Sequence, residues 1–211
     1  EAVLNMLALL GWHPSDNQEL FTLEELVQAF SLEKVSKSGA KFDADKAKWF
    51  NHKYLQEKEN AAIADILRPM MTKKSWEADG NYLEKVIGMV KEKVNFAPEI
   101  LDVSDYFFVE PTEYDEKVVR KRWKDAVPGL ISELAGQWSE LSTFNAESIE
   151  NSFKAFAEAK EVSPGSLMQP LRLAVSGKAG GPPIFEMLEL LGQETVVRRM
   201  QSANVAIPSA Q

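Results

Sequence analysis

Cysteine is absent from this chain of 211 residues, and histidine occurs only twice, at His13 and His52. The first absence excludes disulfides and thiolate metal sites and accords with a reducing, cytoplasmic setting. The two histidines have no acidic or histidine neighbours at metal-ligand spacing, so each reads as a surface histidine and no metal site is expected. Without a cysteine nucleophile, a histidine cluster or an ordered carboxylate pair, a self-contained catalytic site is disfavoured. No apolar run approaches the roughly 18 residues that a membrane helix needs, which predicts a soluble chain with no membrane association. No secretory or transit signal is present, and a chain that begins with Glu1 leaves room for a missing N-terminal region. Strand-type alternation never lasts more than a few residues, and internal repeats and low-complexity tracts are lacking. Also missing is an excess of basic residues: the net charge is −8.

What is present is helical periodicity. Apolar residues make up 45% of the chain, enough for one large or two to three small domains with a sizeable core. Residues 2 to 10 predict a short buried helix ended by Gly11. Thr22 and Glu25 have capping-box spacing, with Leu23, Leu26, Val27 and Phe30 as the buried face behind them. Ser31 opens a short helical turn. Asp43 caps a helix whose aromatic face, Phe42, Trp49, Phe50 and Tyr54, is core rather than a stacking platform. Ile63, Ile66, Leu67 and Met70 mark the next helix; Leu83, Val86, Ile87 and Val90 mark another, ending in Lys91 and Lys93. Asp102 to Pro111 packs aromatics before a boundary near residue 113. Asp115 to Trp123 reads as an amphipathic helix with a basic, solvated face; a basic helix with an aromatic facing RNA is the alternative. Asn145 caps a helix with Ile149, Phe153, Phe156 and Ala157 inside and Lys154 off that stripe. The class is all-α, a set of helical bundles, and the end from Ala206 to Gln211 is expected to fray.

The most organised stretch runs from Leu167 to Arg199. Leu167, Met168, Leu171 and Val175 line one helix face behind Ser163 and Pro164, and Gly177 stops that helix. A bend with Gly180, Gly181, Pro182 and Pro183 follows, the prolines suiting the first turn of a helix striped by Ile184, Met187, Leu188 and Leu191. Gly192 closes it, and a last helix carries Val196, Val197 and Met200, with Arg198 and Arg199 near its end. The bend is open to two readings. It is a tight turn between packed helices, or its amides, with Arg172 and Lys178, offer donors to anions or base edges at a helix N-terminus.

The segment QPLRLAVSGKAGGPPIFEMLELLGQETVVRRM resembles the C-terminal signature of bacterial glutamyl-tRNA synthetases, and EAVLNMLALLGW and FSLEKVSKSGAKFDADKAKWFNHKYLQ resemble segments just after that family's catalytic domain. The resemblance implies a three-part chain: the end of a stem-contact domain over residues 1–60, then anticodon-binding helical subdomains over 61–113 and 114–211. It implies that Arg172, Lys178, Gly181, Pro182, Ile184, Lys93, Lys154 and Gln169 contribute to anticodon binding, with Ile184 or Pro182 giving apolar surface to base faces. Lys93 stands where the family commonly has arginine, so the planar fork is lost there. The complete enzyme of the family joins glutamate to tRNA(Glu) with ATP and Mg²⁺ on an upstream catalytic domain. This chain is thus expected to hold no catalytic residue and no cofactor of its own, to be inactive alone, to act as a monomer, and to have tRNA(Glu) and the catalytic domain as partners. Lys34 to Ser38 looks like the ATP phosphate loop of class I synthetases, but it follows Leu4 to Trp12 where the family's loop precedes that segment, so it reads as a solvated loop.

The acidic charge is compatible with such a role through its distribution. Residues 164–211 hold four basic and three acidic side chains, against 20 and 29 in residues 1–163. A region that reads unstacked bases need not be strongly basic. An all-α structural or protein-interaction module explains the acidity equally well, and paralogues that also charge tRNA(Gln) share the same signature.

Overall fold

The computed structural model describes residues 1–37, 39–124 and 126–207. Among these, twelve α-helices are joined by turns, and there is no strand, only an isolated antiparallel bridge between Trp12 and Val35. The all-α class is what the structure shows. The helices are α1 (Ala2–Gly11), α2 (Leu23–Ala29), α3 (Ala44–Glu57), α4 (Asn60–Lys73), α5 (Gly80–Val90), α6 (Glu99–Val103), α7 (Glu116–Arg122), α8 (Val127–Ser139), α9 (Ala146–Ala159), α10 (Pro164–Ser176), α11 (Ile184–Leu191) and α12 (Gln193–Ala206). They form two compact units, residues 1–75 with 87–102 and residues 76–86 with 103–211, so the division falls inside α5 and α6.

In the first unit the caps form as the sequence implies. The Thr22 hydroxyl accepts from the Glu25 amide, and the Glu25 carboxylate accepts from Thr22 N–H at 2.8 Å. Asp43 accepts from the amides of Asp45 and Lys46 at the start of α3. Ile63, Ala64, Leu67, Ile87, Val90 and Leu101 are buried. The first helices depart from expectation. Among the residues of α1 only Asn5 is buried, while Leu4 is 51% exposed; behind the capping box only Leu26 is buried and Val27 is 71% exposed. Ala8 and Leu9 of α1 are partly buried against a small core of Trp12, Phe21 and Leu26, and beside it Asn5 serves as a knot: its amide donates to Glu19 O, and its carbonyl accepts from Phe21 N–H and from the Tyr54 hydroxyl, each at 2.7 Å. On α3, Phe50 is buried whereas Trp49, and Phe42 just before the helix, are exposed, so only part of the expected aromatic face is core. Ser31 opens a short 3-10 turn, Leu32–Lys34, as expected, and the exposed stretch from Lys34 onward is tied back to the residues at and just after the end of α1. Lys34 donates to the Ser15 hydroxyl and Ser36 N–H to Gly11 O at 2.6 Å; Ser38 lies outside the described residues.

In the second unit α10 is central, packed against α7, α8, α9 and α12, while α12 runs along α8. Trp123, Trp138, Phe153, Leu171, Met187 and Met200 are fully buried. The side-chain amide of Gln193 donates to Trp138 O at 2.7 Å and Leu141 O at 2.9 Å, satisfying carbonyls that the end of α8 leaves without helical partners. The burial of Trp123 removes the aromatic from any RNA-facing role on α7, whose Lys117, Arg120, Lys121 and Arg122 are exposed. Two further expectations are corrected. Arg198 and Arg199 lie in the middle of α12, which runs to Ala206 because its apolar spacing continues through Ala203 to Ile207. Ala206 therefore closes a helix and Ile207 is buried; the expected fraying beyond it lies outside the described residues.

Candidate nucleic-acid interface

The bend after α10 is set by glycine and by what passes behind it. Gly177 adopts φ 72°, and its N–H donates to Leu173 O at 2.8 Å, the left-handed end of a helix. Its carbonyl accepts from Asp115 N–H at 2.9 Å, and a Cβ there would lie 2.3 Å from Glu113 O. Backbone angle and backbone contact both require glycine. The Ser176 hydroxyl, buried, donates to Arg172 O at 2.8 Å and accepts from Lys178 N–H at 3.2 Å, which turns the chain out of the helix.

Three predicted residues meet at this bend. Arg172 is half-buried, with Nη1 3.8 Å from Met187 Sδ. Burial draws its guanidinium below the ordinary value, with the neighbouring Tyr106 acting in the other direction, and among the described residues it forms no ion pair. Gly181 lies against it: a Cβ on residue 181 would be 2.7 Å from Arg172 Nη1 and 3.3 Å from the Tyr106 hydroxyl. Lys178 extends to Asp105 Oδ2 at 2.9 Å, both side chains partly exposed. Beside them a cavity of about 120 Å³ is lined by Asp105, Tyr106, Glu110, Ser176 and Lys178 among others.

The other predicted residues take different places. Ile184 and Pro182 are buried, so the apolar surface expected for base faces is turned into the protein; Pro183 occupies the N-cap and α11 begins at Ile184, one residue later than the prolines suggest. Gln169 is exposed on α10, upstream of the bend. Lys154 is on α9, exposed, and paired with Glu150 at 2.5 Å. Lys93 is exposed at the end of a single 3-10 turn, Lys91–Lys93, in the first unit.

Sequence reasoning missed what holds the bend from below. Arg199, 3% exposed, donates to Tyr106 O at 2.7 Å and to Val175 O and Val109 O at 3.0 Å, and its Nε lies 3.3 Å from Glu110 Oε1. It thereby joins the end of α10 to the Asp105–Phe107 turn that carries Asp105 and Tyr106. Arg198 donates to the same carboxylate at 2.7 Å. Burial would raise the Glu110 carboxyl, but the Arg198 hydrogen bond and the two guanidinium charges outweigh it and hold it below the ordinary carboxylate value. The available signal was the Val196, Met200, Ala203 spacing, which puts Arg199 on the inner face beside Met200.

With this geometry in hand, the comparisons with known proteins define the class. Residues 62–204 match the anticodon binding domain family, and the chain belongs to it. A second match, to the catalytic domain of class I tRNA synthetases (E and Q), covers residues 1–49. The chain is 45% identical over 203 residues to the glutamate–tRNA ligase of Parabacteroides distasonis, and 42% to that of Porphyromonas gingivalis, covering 96% of this chain and 40% of each relative. Among solved structures, a glutamate tRNA ligase from Elizabethkingia meningosepticum in complex with its amino acid matches with a TM-score of 0.93 at 38% identity, over 99% of this chain and 41% of that one. The glutamate-tRNA synthetase from Elizabethkingia anophelis matches with a TM-score of 0.87 at 38% identity, over 97% of this chain and 40% of that one. The chain thus spans about two fifths of the length of the curated relatives it matches.

Proposed function

We propose that this chain is the tRNA-recognising part of a glutamate–tRNA ligase, reading the anticodon of tRNA(Glu). The observation that carries the reading is Arg172: a half-buried guanidinium, held at a glycine bend on the central helix of a chain from the anticodon binding domain family, without a carboxylate partner among the described residues. A planar fork of N–H donors suits a base edge or phosphate oxygens. Lys178 adds a second cation that exchanges Asp105 for RNA. Gly181 leaves room for the guanidinium, Pro182 and Ile184 anchor the bend from inside, and Gln169 offers a donor and an acceptor on the exposed side of α10. Lys154 and Lys93 contribute longer-range charge.

In this reading residues 1–60 contact the tRNA stem and segments 61–113 and 114–211 carry anticodon recognition. The exposed apolar side chains of α1 and α2 suit a catalytic domain as partner. That domain would supply glutamate activation with ATP and Mg²⁺; the chain described here supplies binding, acts in the cytoplasm as a monomer, and does not aminoacylate alone. No helix among the described residues is long and apolar enough to cross a membrane.

The test is a titration against tRNA(Glu) and against the same RNA with altered anticodon bases, at two salt concentrations. Tighter binding to the cognate anticodon, weakening with salt, is the expected result. Arg172→Ala should lower cognate affinity roughly tenfold to a hundredfold, since a good bidentate contact is worth about 1–3 kcal/mol. Parent-like affinity in that variant would remove Arg172 from the site, and no RNA affinity at any salt would favour a protein-interaction module.

A further inference from the structure

Tyr106 has no role in the recognition scheme above, yet its hydroxyl is placed as if it had one. The residue is 2% exposed, and among the described residues its Oη has no hydrogen-bond partner. Leaving a buried hydroxyl unpaired is costly, and the ring alone would fill the same space as phenylalanine. The ring does pack, with Phe107 at 4.7 Å between centroids, and the Tyr106 carbonyl accepts from Arg199, but neither contact uses the hydroxyl. The hydroxyl and Arg172 Nη1 both lie close against Gly181: a Cβ there would stand 3.3 and 2.7 Å from them, so the missing side chain is what lets the two groups share this place. Burial, with the Asp105 charge and Tyr82 adding to it and Arg172 opposing, keeps the phenol well above its ordinary pKa, so it stays protonated and can donate.

We propose that the Tyr106 hydroxyl is a second reading group of the bend, donating a hydrogen bond to an acceptor on the edge of an unstacked nucleobase that Arg172 orients. The proposal rests on the anticodon-reading function above and names the group that completes it. The guanidinium can only donate and the phenol donates beside it, so together they best fit a base edge that presents two acceptors, a carbonyl oxygen and a ring nitrogen. A site that holds an unpaired donor until its ligand arrives discriminates strongly against ligands that cannot pair with it, because the burial cost is then never recovered.

Tyr106→Phe tests this, through stability and RNA binding measured on the same preparation of the 211-residue chain. The midpoint of thermal unfolding should be unchanged or raised, since only an unsatisfied group is lost, while affinity for tRNA(Glu) falls about tenfold. With transcripts altered one anticodon base at a time, the loss should vanish at the single base whose acceptor Tyr106 meets, where parent and variant bind alike. A lowered unfolding midpoint would show that the hydroxyl is structural and overturn the proposal. An equal loss on every RNA would assign the donor to a phosphate and overturn the base assignment. Parent-like discrimination in the variant sinks this proposal and leaves the anticodon reading standing; a parent chain with no anticodon preference sinks both.

Discussion

The first two helices and the bend after α10 are built from similar material, short amphipathic helices joined by glycine and proline, yet they use it oppositely. In α1 and α2 several apolar residues, Leu4, Leu7 and Val27 among them, are turned outward, with Leu32 beyond them 78% exposed, and a small core of Trp12, Phe21 and Leu26 sits beside a buried, hydrogen-bonded asparagine. Around the bend the apolar stripes of α10, α11 and α12 are buried as their spacing implies, and the cations range from exposed Lys178 and Arg198 through half-buried Arg172 to buried Arg199. Periodicity tells which face of a helix is apolar. Whether that face is covered depends on what the rest of the fold brings to it.

The largest effect that would sharpen this contrast concerns two neighbouring arginines. Arg199→Met removes the donors of three main-chain carbonyls beneath the bend, and at about 1 kcal/mol for each hydrogen bond the chain should lose roughly 3 kcal/mol, read in denaturant unfolding. Arg198→Met breaks only an exposed pair with Glu110 and should cost less than about 1 kcal/mol. Equal losses would mean that the bend is not held from below. Next in size, Gly177→Ala places a methyl group 2.3 Å from Glu113 O at a left-handed backbone position. Relief requires the 111–115 segment to shift, and a loss of about 2 kcal/mol with weakened RNA binding is expected. A variant as stable as the parent would show that this segment yields freely.

Much of this was legible in the residues. The helix stop at Gly177, the caps at Thr22, Asp43, Asn145 and Ser163, and the stripes of α5, α9 and α11 follow from local chemistry, and the structure realises them. Arg172, Lys178 and Gly181 were legible as a group because the bend brings neighbours in sequence together. Asp105, Tyr106 and Arg199 were not: Lys178 and Asp105 are 73 residues apart, Arg199 and Tyr106 93, and no local pattern encodes pairing at that range. Asp105, Tyr106 and Phe107 read as part of an aromatic packing segment, which accounts for the ring of Tyr106 and not for its hydroxyl. Ile184 and Pro182 failed in the opposite sense, since apolar residues at a bend are as suited to anchoring it as to presenting a face, and burial decides between the two.

The smallest expected effect tests the other side of the contrast. Val27 and Leu32 are mostly exposed, so replacing both with serine removes little buried area and should change unfolding stability by no more than about 0.5 kcal/mol for each. What should change is association. Exposed apolar side chains on a free surface promote contacts between copies, and sedimentation velocity at rising concentration should show the doubly substituted chain less prone to associate than the parent. A drop of several kcal/mol in stability would mean instead that these side chains pack against something within the chain. The outward-facing description of α2 would then be wrong, and with it the idea that this surface suits a catalytic domain.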